Sequence, residues 1–234
     1  RNGAIEVQDE GSQLAALLVD AQPGMTVVDY CAGAGGKGLV LAACMRNKGR
    51  LLLTDTSEAR IKRATVRIRR AGVQNAERRV LADGDKTVKR LAGKADRVLI
   101  DAPCTGTGTW RRNPDAKWRY GPEEVAEIVT LQREILDTAA RMVAPGGRAI
   151  YVTCSVLAEE NEAVVEAFLA SHDQFFVRPI AEVWAETVAA QGGTAGCPTG
   201  APFLRLSPHL HDTDGFFVAV LERRPAEKAA AEHN

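Results

Sequence analysis

At 234 residues, 45% of them hydrophobic and 26% charged, the chain has the length and composition of one ordinary globular domain with a full core. No apolar run approaches the roughly 18–20 residues of a membrane helix, and no basic end followed by an apolar stretch marks a signal peptide. A formal net charge of zero excludes a uniformly basic nucleic-acid binder.

The five cysteines, Cys31, Cys44, Cys104, Cys154 and Cys197, are far apart and odd in number. None has zinc-knuckle spacing, and a chain of this size needs no disulfide staples. The expectation is reduced thiols in a cytoplasmic compartment, with no metal and no membrane. Charge is unevenly spread. Arg60, Lys62, Arg63, Arg67, Arg69, Arg70, Arg78 and Arg79 face one acid, Glu77, whereas Val156–Gly196 is acidic with only Arg178 basic. The basic run suits a phosphate-holding face and equally a solvated helix face. The chain starts at Arg1, which leaves room for a longer parent with an N-terminal module.

In chain order, short apolar runs alternate with helical patterns, the rhythm of a parallel sheet flanked by helices. Val27–Tyr30 is a short strand breaking into a glycine-rich turn, Leu39–Met45 a helix and Arg50–Thr54 a strand. Glu58–Ala71 is helical and stops at Gly72. Strands at Arg79–Ala82 and Arg97–Ile100 precede a loop over Ala102–Pro122. Val125, Ile128, Val129, Leu131, Ile135, Leu136, Ala139 and Met142 place a helix over Glu123–Val143, terminated by Pro145-Gly146-Gly147. Arg148–Thr153 is a strand and Glu159–Ala170 a helix. Phe175–Val177 and Phe216–Leu221 are antiparallel neighbours at one edge, and Ala189–Pro202 is a loop. The expected organisation is a lead-in segment over 1–24 packing on a catalytic domain over 25–224, with a flexible tail over 225–234.

In an open α/β sheet, ligands bind beyond the carboxyl ends of the strands. Four such ends carry an acid here: Asp29, followed by Tyr30-Cys31-Ala32-Gly33-Ala34-Gly35-Gly36, then Asp55, Asp83 and Asp101. The glycines let backbone approach a ligand, but phosphates, dinucleotides and S-adenosylmethionine all use such turns. Asp55, about 20 residues further on, can accept ribose hydroxyls. The phosphate-loop signature is absent, since Gly38 follows Lys37. A ring of carboxylates suits the sulfonium and ammonium of S-adenosylmethionine and repels a pyrophosphate. A methyl donor is therefore favoured over a nicotinamide. Cys104 and Cys154 also close strands beside this crevice. One such cysteine is ordinarily a small buried hydrophobe, but two converging on one crevice point to chemistry.

Asp101-Ala102-Pro103-Cys104 with Gly106 and Gly108, then Arg111-Arg112-Asn113-Pro114-Asp115 and Trp118, resembles the fourth motif of the Sun/RsmB-type RNA cytosine-C5 methyltransferases. Thr153-Cys154-Ser155 with Glu159-Glu160-Asn161-Glu162 resembles their sixth. Val7-Gln8-Asp9-Glu10 and Thr213-Asp214-Gly215-Phe216-Phe217 are similar as well, so the resemblance runs from about residue 3 to 222. It implies a Rossmann-like class I S-adenosylmethionine-dependent methyltransferase, mostly parallel with an antiparallel edge strand. Cofactor contacts are implied at Cys31, Ala32, Gly33, Ala34, Gly35, Gly36 and Lys37, and at Asp55, Arg60, Asp83 and Asp101. The first motif departs from the family's Cys-Ala-Ala-Pro-Gly-Gly-Lys-Thr, and Ala34 in place of proline loosens the turn.

The family pattern makes Cys154 the nucleophile on carbon 6 of cytosine, Asp101 a partner of the base edge and Cys104 the helper that releases product. In DNA cytosine methyltransferases the fourth-motif cysteine attacks instead. Arg111, Arg112, Lys117 and Trp118 lie where RNA would meet the loop; the alternative is a packed Trp118 with solvated arginines. Ribosomal RNA is the first expected substrate and tRNA the second, for a monomer. A non-catalytic RNA-binding assembly factor is the rival from another class. An amino-nitrogen methyltransferase ranks last, because Asp101-Ala102-Pro103-Cys104 lacks its Pro-Pro-aromatic motif.

Overall fold

The computed structural model describes residues 3–82, 85–190, 192–193, 196–200 and 202–226. In chain order its elements are α1 (Glu10–Leu17), β1 (Thr26–Asp29), α2 (Gly36–Met45), β2 (Arg50–Asp55), α3 (Glu58–Arg70), β3 (Ala76–Val80), α4 (Thr87–Leu91) and β4 (Ala95–Asp101). There follow α5 (Pro122–Ala140), β5 (Val143–Thr153), α6 (Glu162–Ser171), β6 (Phe175–Val177), α7 (Ile180–Trp184), β7 (Leu204–Leu206), α8 (Pro208–His211) and β8 (Phe216–Arg223).

The sheet order is β3-β2-β1-β4-β5-β8-β6, with β7 also on β8. The first five of these strands run parallel, and β8 is antiparallel to β5, β6 and β7. The antiparallel pair foreseen at Phe175–Val177 and Phe216–Leu221 is there, with β8 as its inner member. Strand residues alternate between two cores. Val27, Leu51, Leu53, Leu99, Ile150, Val152, Val218 and Val220 pack against α1, α2 and α7. Val28, Leu52, Val98, Ile100, Ala149, Tyr151, Phe217 and Leu221 pack against α5 and α6. Covered on both faces, these strands read as continuous apolar runs.

Helix ends follow local chemistry. Asp9 caps α1 by accepting from the Gly11 amide, and Ser57 caps α3, whose last turn holds Arg67, Arg69 and Arg70. Pro122 opens α5, where Glu124 reaches back to the Gly121 amide at 2.8 Å.

Three expectations are corrected. The strand expected at Arg79–Ala82 is β3, Ala76–Val80; an edge strand carrying Glu77, Arg78 and Arg79 hides from an apolar-run reading. Pro145-Gly146-Gly147 does not stop α5, which ends at Ala140. Val143 already pairs with Ala95, and the glycines form an excursion inside β5 before Arg148 pairs with Arg97. A Cβ on Gly147 would lie about 3 Å from the carbonyl oxygens of Ala144, Ala95 and Asp96, so the excursion needs glycine there. The helix expected from Glu159 starts at Glu162, because Glu159–Asn161 form a turn. Helix α1, the short α4 and α8, and β7 had no expectation behind them. Leu18 and Val19, just past α1, are wholly buried against the sheet. Most of the tail beyond Pro225 lies outside the described residues.

Parallel strands wind outward in both directions from β1 and β4, which opens a crevice at their carboxyl ends. Of the candidate site residues, Cys31, Gly33, Asp55, Arg60, Asp101 and Cys104 line it.

Candidate active site

The turn after β1 is built by glycines in the left-handed region, Gly33 at φ 55° and Gly35 at φ 81°. Gly35 also lets α3 approach, since a Cβ there would meet that of Ala64 at 3.0 Å. At Ala34, where the family has proline, the Arg67 guanidinium donates to the carbonyl at 2.9 Å. Arg67 and Arg70 are in turn paired with Glu6. The turn loosened by losing its proline is thus fastened from α3, and part of the basic run serves this purpose. Gly38 is forced by packing, because a Cβ would come within 2.5 Å of Leu53.

The strand-end acids have different fates. Asp55 is nearly buried; it accepts from the Gly33 amide at 3.0 Å and the Ser57 amide at 2.8 Å, with Arg60 at 3.7 Å. Asp101 takes the Lys37 ammonium at 2.6 Å. Lys37, foreseen as a cofactor contact, therefore turns its charge across the crevice, above the Phe216 ring at 5.4 Å. Asp29 sits beneath the site with neither carboxyl oxygen hydrogen-bonded. Burial, reinforced by the nearby Asp101 charge, pushes its pKa up to about 8. It contributes no full negative charge at neutral pH, contrary to a ring of equal carboxylates. Asp83 lies outside the described residues.

Between these groups lies a cleft of about 590 Å³, lined by Tyr30, Cys31, Gly33, Asp55, Arg60 and Asp101 on one side and by Pro103, Cys104, Tyr120, Leu131 and Ile135 on the other. This volume is in the range of small-molecule sites. Burial, with Asp101 adding, holds the Cys31 thiol well above its usual range and makes it inert. Leu131, one of the apolar positions that mark the helix, faces this cleft; its neighbour Gln132 is the buried residue.

Cys104 and Cys154 meet at the cleft's floor, their sulfurs 3.4 Å apart. As hydrogen-bond donor to Cys154, Cys104 is held far above the usual thiol range. As acceptor, Cys154 is lowered, with help from Lys37 and Arg112 and against burial and Asp101. Of the two thiols, Cys154 is the more readily deprotonated. The Gly108 amide donates to the Cys154 carbonyl at 2.9 Å, closing one loop on the other.

The motifs at the chain's two ends also converge here. Gly215 donates to the Gly108 carbonyl at 2.8 Å, and a Cβ on Gly108 would fall 2.3 Å from the Gly215 oxygen. Arg111 bridges Asp9 and Asp214, and Arg112 takes the other oxygen of Asp214, which is wholly buried. Both arginines thus brace the loop internally. Trp118 is the reverse: it is 81% exposed, with the Lys117 ammonium 4.8 Å from its ring centre. Of the alternative reading, the packed tryptophan is not found; the arginines are exposed, as it had them, and also ion-paired to Asp214.

This chain matches the family described as 16S rRNA methyltransferase RsmB/F over residues 16–222. It belongs to that family. A probable ribosomal RNA small subunit methyltransferase B of Synechocystis is 36% identical over 220 residues, covering 93% of this chain and 47% of the relative. Among solved structures, PH0851 aligns at a TM-score of 0.84 and 38% identity, covering 95% of this chain and 48% of that one. NSun6 from Pyrococcus horikoshii, solved with SFG, aligns at 0.79 and 26%, covering 95% and 54%. The chain spans about half the length of the curated relatives it matches. Its fold is the Rossmann-like one of S-adenosylmethionine-dependent methyltransferases. No helix among the described residues is long and apolar enough to cross a membrane, and none of their acid, histidine and cysteine clusters could hold a metal.

Sequence reasoning missed the two polar residues that knit the site from behind, Gln132 and Glu160, both wholly buried. A signal existed for Gln132, a polar residue within the apolar face of α5.

The Asp29 environment predicts a pH-dependent cost. Unfolded Asp29 ionises near its usual 3.8 and folded Asp29 near about 8, so between these values the unfolded chain binds fewer protons and stability falls as pH rises. Asp29→Asn removes that loss. Its melting temperature should equal that of the unaltered protein near pH 4 and exceed it by roughly 10 °C or more at pH 8, by calorimetry. Equal values at pH 8 would mean that Asp29 is ionised in the fold.

Proposed function

We propose that this chain methylates carbon 5 of a cytosine in RNA, with ribosomal RNA as the substrate and S-adenosylmethionine as the methyl donor. The contact between the Cys104 and Cys154 sulfurs at the floor of the cleft carries this reading. Its relatives' names as small-subunit ribosomal RNA methyltransferases support the substrate class. Resemblance of the two cysteine motifs to the cytosine-C5 enzymes supports the position.

The cleft residues fit the cofactor. Gly33 lies at the wall with open space where a side chain would stand, so ligand atoms can approach its backbone. Asp55 keeps lone pairs free for ribose hydroxyls, and Arg60 lies beside it. Tyr30, Leu81, Pro103 and Ile135 supply flat and apolar walls. When bound, S-adenosylmethionine supplies an electrophilic methyl on a positive sulfur.

Carbon 5 of cytosine is too poor a nucleophile to take that methyl unaided. The Cys154 thiolate adds at carbon 6 and pushes the electron pair of the 5,6 double bond toward carbon 5. Asp101, oriented by Lys37, accepts a hydrogen bond from the base edge. Once carbon 5 is methylated, its proton leaves to a base, those electrons re-form the double bond, and the carbon–sulfur pair returns to Cys154. Cys104 aids both ends of the cycle by donating its S–H to the Cys154 anion, first as nucleophile and then as leaving group. A base must leave its stack to reach this floor. Trp118, with Lys117 beside it, offers a stacking surface at the entrance, whereas Arg111 and Arg112 act by fixing the loop.

Two outcomes follow. Cys154→Ala should abolish tritium-methyl transfer to small-subunit ribosomal RNA, while Cys104→Ala should accumulate protein covalently attached to RNA on a denaturing gel. Adducts in the Cys154 variant would reverse the roles, and full transfer by it would remove the covalent route altogether. Trp118→Ala should raise KM for RNA by about tenfold with kcat little changed; an unaltered KM would take Trp118 out of the RNA path.

A further inference from the structure

The cysteine loops share more than their sulfur contact. Thr105 follows Cys104 and Ser155 follows Cys154, and both turn inward to one carboxylate. Oε1 of Glu160 accepts from the Thr105 amide and from Gln132 Nε2, each at 2.9 Å. Its Oε2 accepts from the hydroxyls of Thr105 and Ser155. Gln132 also donates to the Pro103 carbonyl at 2.9 Å, which anchors the residue before Cys104. Next in sequence, Asn161 accepts from Thr153 Oγ1 and donates to the Ser155 carbonyl at 3.0 Å, so it straddles Cys154.

Glu160 is wholly buried, and no described lysine, arginine or histidine forms an ion pair with it. A carboxylate in such a place is costly unless several donors satisfy it, and here four do. Neutral side chains could staple two loops without that cost. The charge also opposes loss of the Cys104 proton, behind the larger effects of the Cys154 contact and of burial. The other charged groups at the pair are Asp101, Lys37 and Arg112, all on the Cys154 side.

We propose that Glu160 is a positioning residue for the methyl-transfer chemistry: one buried carboxylate that staples the Cys104 and Cys154 loops and fixes which sulfur donates its hydrogen to the other. This rests on Cys154 being the nucleophile, and it extends that reading by assigning the origin of the asymmetry. Glu160 touches neither base nor methyl donor. It acts through the two thiols.

The Glu160→Gln and Glu160→Ala variants separate charge from staple. Glutamine can keep Oε1 as acceptor for the Thr105 amide and Gln132, while its amide nitrogen donates to the Thr105 and Ser155 hydroxyls, which rotate to accept. The staple survives and the charge goes. The readout is alkylation by iodoacetamide of the RNA-free protein, with the labelled cysteine located by peptide mass mapping across pH. The unaltered protein should label Cys154 first. In Glu160→Gln the preference for Cys154 over Cys104 should fall by about tenfold, the effect of a 1.4 kcal/mol change in proton affinity. Glu160→Ala should lose the preference and also cut kcat for methyl transfer by about a hundredfold, the scale of a misplaced reacting group. Its KM for S-adenosylmethionine should hold, because Gly33 and Asp55 take no part in the staple. Should the alanine variant fail to fold, the glutamine variant decides alone.

Unchanged labelling preference in a folded Glu160→Gln would overturn the proposal, as would wild-type turnover by Glu160→Ala. The labelling experiment uses neither RNA nor methyl donor. A Glu160-dependent preference together with full activity in Cys154→Ala would therefore sink the nucleophile assignment and leave the control of the thiol pair standing.

Discussion

Parallel pairing of β4 with β5 is the constraint from which the site follows. Asp101 lies opposite Val152 in register, so the two strands finish level and release their loops side by side. A one-residue slip would turn both faces of β4 over and separate the sulfurs. The register is enforced from several directions. Apolar residues on both faces of β4 and β5 are buried in different cores, the Ala102 amide donates to the Val152 carbonyl at 2.9 Å, and the excursion at Pro145–Gly147 absorbs extra chain at the far end. Close backbone contact then completes the arrangement. Gly108 bonds to Cys154 on one side and Gly215 on the other, which leaves no room for any side chain.

Electrostatics add a second layer, in which few charges are left unmatched. Asp101 is balanced by Lys37, Asp214 by two arginines, and Asp29 by holding its proton. The crevice therefore has less negative charge than its acids suggest, and what remains is concentrated near Asp55. That distribution still disfavours a pyrophosphate, while Lys37 and Arg112, though ion-paired, still lower the Cys154 thiol through their charge. A uniform ring of carboxylates would have opposed the very anion on which the chemistry relies.

The sequence was most legible where burial is two-sided. Strands β1, β2, β4 and β8 stand out as apolar runs because helices cover both their faces, and a strand end with Asp and Cys is visible once the strand is. Edge strand β3 was displaced because its exposed side is charged, and β7, only Leu204–Leu206, is too short for any period to show. At the site, the four glycine-rich-turn and acid positions could be named, but not their division of labour. Nothing in the pattern says that Lys37 turns to Asp101 rather than to a ligand, or that Asp29 is sealed beneath it. The roles of Leu131 and Gln132 were hidden for a related reason. A helical period fixes a face only to within one residue, and here polar Gln132 is drawn inward by a buried carboxylate while Leu131 is released to the cleft.

Arg111 and Arg112 show why charge type alone is a poor guide to a nucleic-acid surface. A guanidinium in a loop near a substrate cleft invites a phosphate, but two of them converging on a buried Asp214 are already committed. Releasing either would leave one oxygen of the buried Asp214 carboxylate without its partner, a cost that an exposed phosphate contact would have to offset. The loop is therefore rigid where it is cationic and open where it is aromatic. Trp118 presents a face that any base can stack on, and Lys117 adds the only charge such a contact needs nearby. An aromatic platform of this kind is sequence-tolerant, so under the proposed function choice of nucleotide would fall to Asp101 and the two cysteines rather than to Trp118.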